Sequence, residues 1–321
     1  MEYRKLGRTG LKVSTICLGT MQFGWSADEA KSHSILDRAV ELGCNFIDTA
    51  DVYSHWVSGN QGGESEEIIG NWLVNGSVRR DQIIVATKVR GSMGSGPNDE
   101  GLTRHHILNA VQDSLSRLRT DYIDLYQVHW PDLETPLDET LETMDYLVKS
   151  GKVRYIGCSN YPAWLLMKSL WISDVKGLTR FDSLQPHYNY LKRAEFEREL
   201  VDLCTDQKIG VIPYSPLAAG FLTGKYKRDG DIPASARVEG IKKRYFNEDS
   251  FNALERLEEL GSSYGVTTSQ MAIGWLLANP VVTSAIIGAN SIEQLNETLA
   301  GSDVRISSED KLALDEMTAW D

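Results

Sequence analysis

The sequence predicts a (β/α)8 barrel, the TIM-barrel architecture, preceded by a β-hairpin and carrying one long insertion after the seventh barrel strand. Three observations lead there. Eight short apolar runs rich in β-branched and aromatic residues alternate with amphipathic helical patterns along the whole chain. The runs are apolar on both faces, as strands of a parallel sheet covered by helices must be. No GxGxxG lies between an early strand and a helix, which a doubly wound dinucleotide-binding half would require. Eight such units in 321 residues close naturally into one barrel, and residues 1–321 are expected to form a single domain.

In order, residues 1–13, "MEYRKLGRTGLKV", read as a hairpin turning near Gly10 and plugging the barrel floor. The barrel strands are 14–20, 45–50, 83–88, 122–129, 153–160, 182–188, 210–216 and 283–289. Between them, residues 27–43, 63–76, 102–119, 137–151, 162–171, 194–207, 269–280 and 291–301 carry the helical pattern, several ending at a glycine. Residues 225–265 stand outside the repeat. Their first half is rich in Lys, Arg and Gly and their second half is helical; loops of that length in compact domains are usually functional.

Composition narrows the partners. With 41% hydrophobic and 24% charged residues, the chain has an ordinary globular make-up. Its 33 Lys+Arg against 45 Asp+Glu leave −12, which disfavours a nucleic-acid partner. No run approaches the ~18 apolar residues of a membrane span, and the first residues lack an apolar signal core. Cys17, Cys44, Cys158 and Cys204 form no CxxC pair and read as small buried hydrophobes, so a cytoplasmic location is expected.

Catalytic side chains of such a barrel come from the carboxyl ends of different strands. Strand two ends in Asp48, with Tyr53 five residues on; strand three ends in Lys88; strand four ends in His129. A carboxylate there needs a counter-charge, which Lys88 supplies. The expected chemistry is that the ammonium lowers the pKa of Tyr53, so that the phenol protonates a developing alkoxide. Asp48 holds the ammonium, and a neutral His129 orients a substrate carbonyl. No metal-ligand spacing accompanies the set. Trp25, Trp56 and Trp130, in loops after strands one, two and four, are candidate pocket walls beside Tyr53 and His129.

The motifs resemble the aldo-keto reductases over almost the entire chain: "LGRTGLKVSTICLGTMQFG", "GCNFIDTADVYS", "GESEEIIGNWL", "SLSRLRTDYIDLYQVHWPD", "GKVRYIGCSNYPAWLL", "SLQPHYNYLKR" and "GVIPYSPLAAGFLTGKY" follow in the family's order. The resemblance implies the four roles above, a nicotinamide cofactor held without a Rossmann domain, and hydride transfer to an aldehyde or ketone, or the reverse. It places Ser159, Asn160 and Gln185 on the nicotinamide carboxamide.

The residues themselves offer Tyr214 as a stacking face, and Ser215, Leu217 and nearby glycine-flanked amides for a pyrophosphate, with Lys225 as its cation. Gly19, Thr20 and Met21, together with Asp48, Pro216, Gly220, Gly288 and Ala289, complete the expected cofactor cleft. At the last barrel helix the sequence departs from the family. Asn290 stands where many members carry Arg, Lys or Ser for the adenosine 2′-phosphate, and Thr298 stands where many carry Asn; Gln294 is in place. Arg237, Lys242, Lys243 or Arg244 of the insertion are alternative cations. NADP(H) is the expected cofactor, with NAD(H) the alternative, and a small carbonyl compound or alcohol is the expected substrate. Two other readings remain open: a cofactor-binding redox sensor with little turnover, and a Schiff-base aldolase using Lys88. Neither oligomeric state nor substrate is legible.

Overall fold

The computed structural model describes residues 1–76, 78–230, 232 and 238–320. Ten strands are described. β1 (Tyr3–Lys5) and β2 (Lys12–Ser14) pair antiparallel; β3 (Ile16–Gly19), β4 (Phe46–Asp48), β5 (Ile84–Val89), β6 (Ile123–Val128), β7 (Val153–Ser159), β8 (Ser183–Gln185), β9 (Gly210–Val211) and β10 (Ala285–Ile287) form one parallel sheet in the order β10-β3-β4-β5-β6-β7-β8-β9. Parallel bridges join Val211 to Val282 and Tyr214 to Ile286, and Ile286 N donates to Pro213 O at 2.9 Å. The sheet therefore closes on itself, and the predicted (β/α)8 barrel is the observed one. Each predicted barrel strand and helix is present with shifted ends: most are shorter than expected, but the helix expected to end at 171 runs on over Ala163–Lys176. The sixth helical segment is split into Ala194–Glu197 and Leu200–Gln207.

The helices begin where short polar side chains can accept from exposed backbone N–H groups. Asp28 accepts from Lys31 N, Thr103 from His106 N and Ser291 from Gln294 N, while Thr267 and Gln270 form a reciprocal capping box. Gly43, Gly151 and Gly177, at positive φ, end the helices that precede them.

Two apolar clusters result. The larger fills the layer between strands and helices, from Leu36 and Ile69 round to Trp275 and Leu299. The smaller lies inside the barrel and is built from Cys17, Phe46, Ile84, Ala86, Leu125, Ile212 and Ile286. Leu6 and Val13 of the hairpin belong to this inner cluster, so the hairpin does plug the floor. Its tight point is Gly7 rather than Gly10. Gly7 has φ +54°, and a Cβ there would lie 2.5 Å from Gly210 N, whereas a Cβ on Gly10 would meet nothing.

The insertion holds two helices, Val238–Tyr245 and Glu248–Ser263; only the second was legible. Tyr226, Tyr245, Phe246 and Phe251 pack their rings around Phe221, which fixes the insertion to the turn after β9. A further helix, Ser308–Met317, follows the barrel and was not expected. No helix among the described residues is long and apolar enough to cross a membrane.

Candidate active site

Asp48, Tyr53, Lys88 and His129 converge at the carboxyl end of the barrel, because β4, β5 and β6 are neighbours in the sheet. Lys88 is fully buried and spends its ammonium protons on Asp48 Oδ2 (2.6 Å), Thr49 O (2.8 Å) and Tyr53 Oη (3.0 Å). The other Asp48 oxygen accepts from Gln127 Nε2 (3.1 Å) and Gln185 Nε2 (2.8 Å), and Gln185 also donates to Gln127 Oε1 (3.2 Å). Both buried charges are thus saturated with hydrogen bonds, the condition under which such a pair is tolerated. Gln127 was missed in the sequence. Its signal was there: it shares the inward-facing alternation of "YIDLYQVH" with Leu125 and His129, a polar side chain on an otherwise apolar face.

Electrostatics corrects one expectation. Burial opposes the Lys88 charge, yet Asp48 and then Tyr53 outweigh it, and the ammonium pKa stands above the usual lysine value. For Tyr53, burial pushes the phenol above its ordinary pKa; Lys88 pulls downward without winning, and Asp48 adds to the rise. In this structure Lys88 therefore does not lower the Tyr53 pKa below that of a free phenol, because burial of the phenol, with the Asp48 charge beside it, outweighs the lysine. Burial, reinforced by Lys88, holds the His129 imidazole well below its usual pKa, so it is neutral as expected. Its Nδ1 is buried without a partner, and its carbonyl accepts from Asn160 Nδ2 at 3.0 Å.

Around Tyr53 the predicted aromatic residues do gather. Trp56 lies 6.4 Å from the Tyr53 ring and 5.7 Å from Trp25; His129 lies 6.0 Å from Tyr53 and 4.5 Å from Trp130. His55 packs edge-on to Trp56 at 5.3 Å.

The expected cofactor residues line up along the adjacent strand ends. Ser159 Oγ donates to Gln185 O (2.8 Å), Asn160 Nδ2 to Ser159 Oγ (3.1 Å), and Tyr214 Oη to Asn160 Oδ1 (2.9 Å), so the three strand ends are tied together. His187 stacks on Tyr214 at 5.1 Å and 9°. Past Tyr214, Ser215, Ala218, Ala219 and Gly220 all take positive φ, and Lys225 Nζ would lie 3.6 Å from a Cβ on Gly220. A tight turn of left-handed residues beside an ammonium suits a phosphate. Pro216 is buried and Leu217 half-buried within this turn.

On the opposite side, Gly19 touches β10, where a Cβ would meet Ile286 Cγ2 at 2.7 Å. The Thr20 hydroxyl is engaged internally, by Asp48 O at 3.0 Å and Ser65 Oγ at 2.7 Å. Met21 is half-buried. Gln22, unread in the sequence, bridges Gly19 O and Ala289 O at 3.0 Å each, just beside Gly288. Asn290 Oδ1 accepts from Ser26 Oγ (2.7 Å), and Asn290 N donates to Gln294 Oε1 (2.9 Å). The buried Thr298 hydroxyl donates to Gln294 O (2.8 Å) within its own helix. Of the insertion's cations, Lys242 pairs with Glu239 at 3.3 Å, Lys243 is exposed, and Arg244 is close enough to His187 to help hold its pKa down after burial. Arg237 lies outside the described residues. No cluster of metal-ligating side chains occurs among the described residues.

A closed parallel barrel with a buried acid–lysine–tyrosine–histidine set at its carboxyl mouth is the architecture of a barrel oxidoreductase. Residues 15–319 match the model of the aldo/keto reductase family, and the chain belongs to that family. It is 39% identical over 314 residues to "Uncharacterized oxidoreductase YrpG" of Bacillus subtilis (strain 168), covering 96% of this chain and 93% of that one. It is 36% identical over 310 residues to "Probable voltage-gated potassium channel subunit beta" of Arabidopsis thaliana, covering 95% and 92%. With "Versiconal hemiacetal acetate reductase" of Aspergillus parasiticus it shares 33% identity over 341 residues, covering 98% and 96%. Carbonyl reduction in general, with a nicotinamide cofactor, is the activity this membership supports.

Proposed function

We propose that the protein is an NADP(H)-dependent reductase of aldehydes or ketones in which Tyr53 is the general acid. The carrying observation is the direction of one hydrogen bond: Lys88 Nζ donates to Tyr53 Oη, so the phenol's own proton is left for another acceptor. His129, neutral and with its ring 6.0 Å from that of Tyr53, can donate from one ring nitrogen to the same carbonyl oxygen. The bound nicotinamide supplies the hydride. The chain's own contribution is to bind and orient the carbonyl, exclude water with Trp25, Trp56 and Trp130, and deliver the Tyr53 proton to the alkoxide oxygen. Lys88 then stabilises the charge left on the phenolate, and Asp48 keeps Lys88 in place.

The raised pKa of Tyr53 is compatible with this role, since it keeps the phenol in its acid form at neutral pH. Ser159, Asn160, Gln185, Tyr214, the 215–220 turn and Lys225 would hold the cofactor, with Gly19–Met21 and Gly288–Asn290 on the facing rim. A Schiff-base role for Lys88 is disfavoured, because attack on a carbonyl needs a neutral amine and Asp48 holds the charged form.

The test is Tyr53→Phe. NADPH binding, followed by tryptophan fluorescence, should persist while turnover of an aldehyde falls at least ~100-fold. Undiminished turnover would reject Tyr53 as the acid. A wild-type protein that binds NADPH but turns over no member of an aldehyde panel would support the redox-sensor reading instead.

A further inference from the structure

The segment that follows Lys88 carries a feature the reaction does not use. Arg90 sits at the mouth of the barrel, one residue past the end of β5, with φ +129°, a backbone conformation that non-glycine residues rarely adopt. The conformation is pinned. Gly101 N donates to Arg90 O at 3.0 Å, and Asp51 N to Lys88 O at 3.3 Å. A Cβ on the following Gly91 would lie only 1.9 Å from Val52 Cγ1, so the chain is pressed against the Tyr53 loop.

The side chain is partly buried and its guanidinium lies 5.1 Å from the centre of the Trp130 ring. Its Nε is buried without any acceptor, and among the described residues the guanidinium makes no ion pair. Two acids of the neighbouring loops are committed elsewhere. Asp99 accepts from Gly96 N at 2.7 Å, and Asp132 accepts from Leu102 N at 2.8 Å and Thr135 Oγ1 at 2.7 Å. A guanidinium keeps its charge at any ordinary pH, and a buried N–H with no partner is costly. An anion from outside the chain would answer the charge through whatever part of the half-buried side chain remains open.

The position of this cation defines what the anion belongs to. Arg90 lies over the Trp130 ring, Trp130 packs against His129 at a 53° tilt, and His129 packs edge-on to Tyr53, a single row of rings from cation to acid. We propose that Arg90 is a specificity residue that selects carbonyl substrates bearing a carboxylate, held by the guanidinium while their carbonyl lies at Tyr53 and His129. The proposal rests on the carbonyl-reductase reading and adds the substrate class to it. In a chain of net charge −12, an acidic substrate meets an unfavourable overall field, which makes a local cation the element that admits it.

The experiment uses the whole protein with NADPH and three aldehydes: 4-carboxybenzaldehyde, its methyl ester, and benzaldehyde. For the unaltered protein, kcat/KM for the acid should exceed that for the ester by on the order of tenfold, the range of a charge-assisted hydrogen bond. Arg90→Met should abolish that preference mainly through KM for the acid, and Arg90→Lys should restore part of it. A purely structural role for Arg90 would lower all three substrates together and leave the acid-to-ester ratio unchanged, which overturns the proposal. An acid-to-ester ratio at or below one in the unaltered protein overturns it without any variant. Turnover of benzaldehyde and the ester would in that case leave the reductase reading standing; absence of turnover with all three would remove both.

Discussion

Lys88 Nζ lies 2.6 Å from Asp48 Oδ2, and neither side chain keeps more than 2% of its surface in contact with solvent. The pair is the most exacting feature of the fold. Two charges inside a barrel lose their hydration and recover it only through their partners, here Thr49 O, Tyr53, Gln127 and Gln185.

Removing one partner should therefore cost more than removing both. Lys88→Met is expected to destabilise the protein by ~3–5 kcal/mol, because the Asp48 carboxylate is left buried and uncompensated. Adding Asp48→Asn should recover a good part of that loss. Urea unfolding of the two variants checks this; a double variant as unstable as the single one would contradict the account.

The pH dependence follows from two displaced groups. Reduction needs protonated Tyr53, whose pKa is raised above the usual value of ~10, so kcat/KM should stay level to that point and fall only beyond it. His129 is held well below ~6.5 by burial and Lys88, so no acid limb is expected near ~6.5. For stability the sign is fixed by proton counting. Below ~6.5 the unfolded chain takes up a proton that folded His129 refuses, so its contribution is complete above ~6.5 and lost as pH falls. A pH–rate profile and urea midpoints across the same range measure the two effects; a rate limb near ~6.5 would place a different group in the acid role.

The floor of the barrel offers a test of packing alone. Gly7→Ala adds a methyl that would lie 2.5 Å from Gly210 N, 2.6 Å from Lys208 O and 2.7 Å from Asp182 O, at a backbone conformation alanine disfavours. A loss of more than ~2 kcal/mol is expected, since all three neighbours are backbone and cannot step aside. Gly10→Ala, with nothing nearby, serves as the control.

Cofactor choice can be probed at Asn290. Replacing it by Arg sacrifices one exposed hydrogen bond from Ser26 and puts a cation near the start of the helix Ile292–Ala300. NADPH should tighten relative to NADH by on the order of tenfold in a fluorescence titration. An unchanged ratio would assign the 2′-phosphate to another cation, with Arg244 the first to examine.

The barrel was legible because its period is carried by burial. Strands such as "IIVATK" and "YIDLYQVH" are apolar on both faces only when helices cover one side and a filled interior the other. The four polar residues at successive strand ends were legible for the same reason, as interruptions of that pattern. What escaped were features fixed by tertiary contact. The hairpin turns at Gly7 because three backbone atoms at the starts of β8 and β9, Asp182 O, Lys208 O and Gly210 N, crowd it, and Gly7 itself carries no local mark of that. The helix Val238–Tyr245 is held by Phe221, some twenty residues away, and its eight residues fall short of the window over which a helical period is read. Gln22 and Gln127 look like ordinary polar residues until the strands that they bridge are side by side. The direction of the Tyr53 shift was misjudged because the sequence names the lysine but not how deeply the fold buries the phenol.

The hairpin also bears on the order in which the molecule can be assembled during synthesis. Its apolar residues Leu6 and Val13 emerge before the barrel, yet the walls they seal include Ile212 and Ile286, and Gly7 rests on Gly210. A nascent chain of two hundred residues would thus have made its stopper with no complete vessel to close. The hairpin must wait, unsheltered, for strands that leave the ribosome about two hundred residues or more after it.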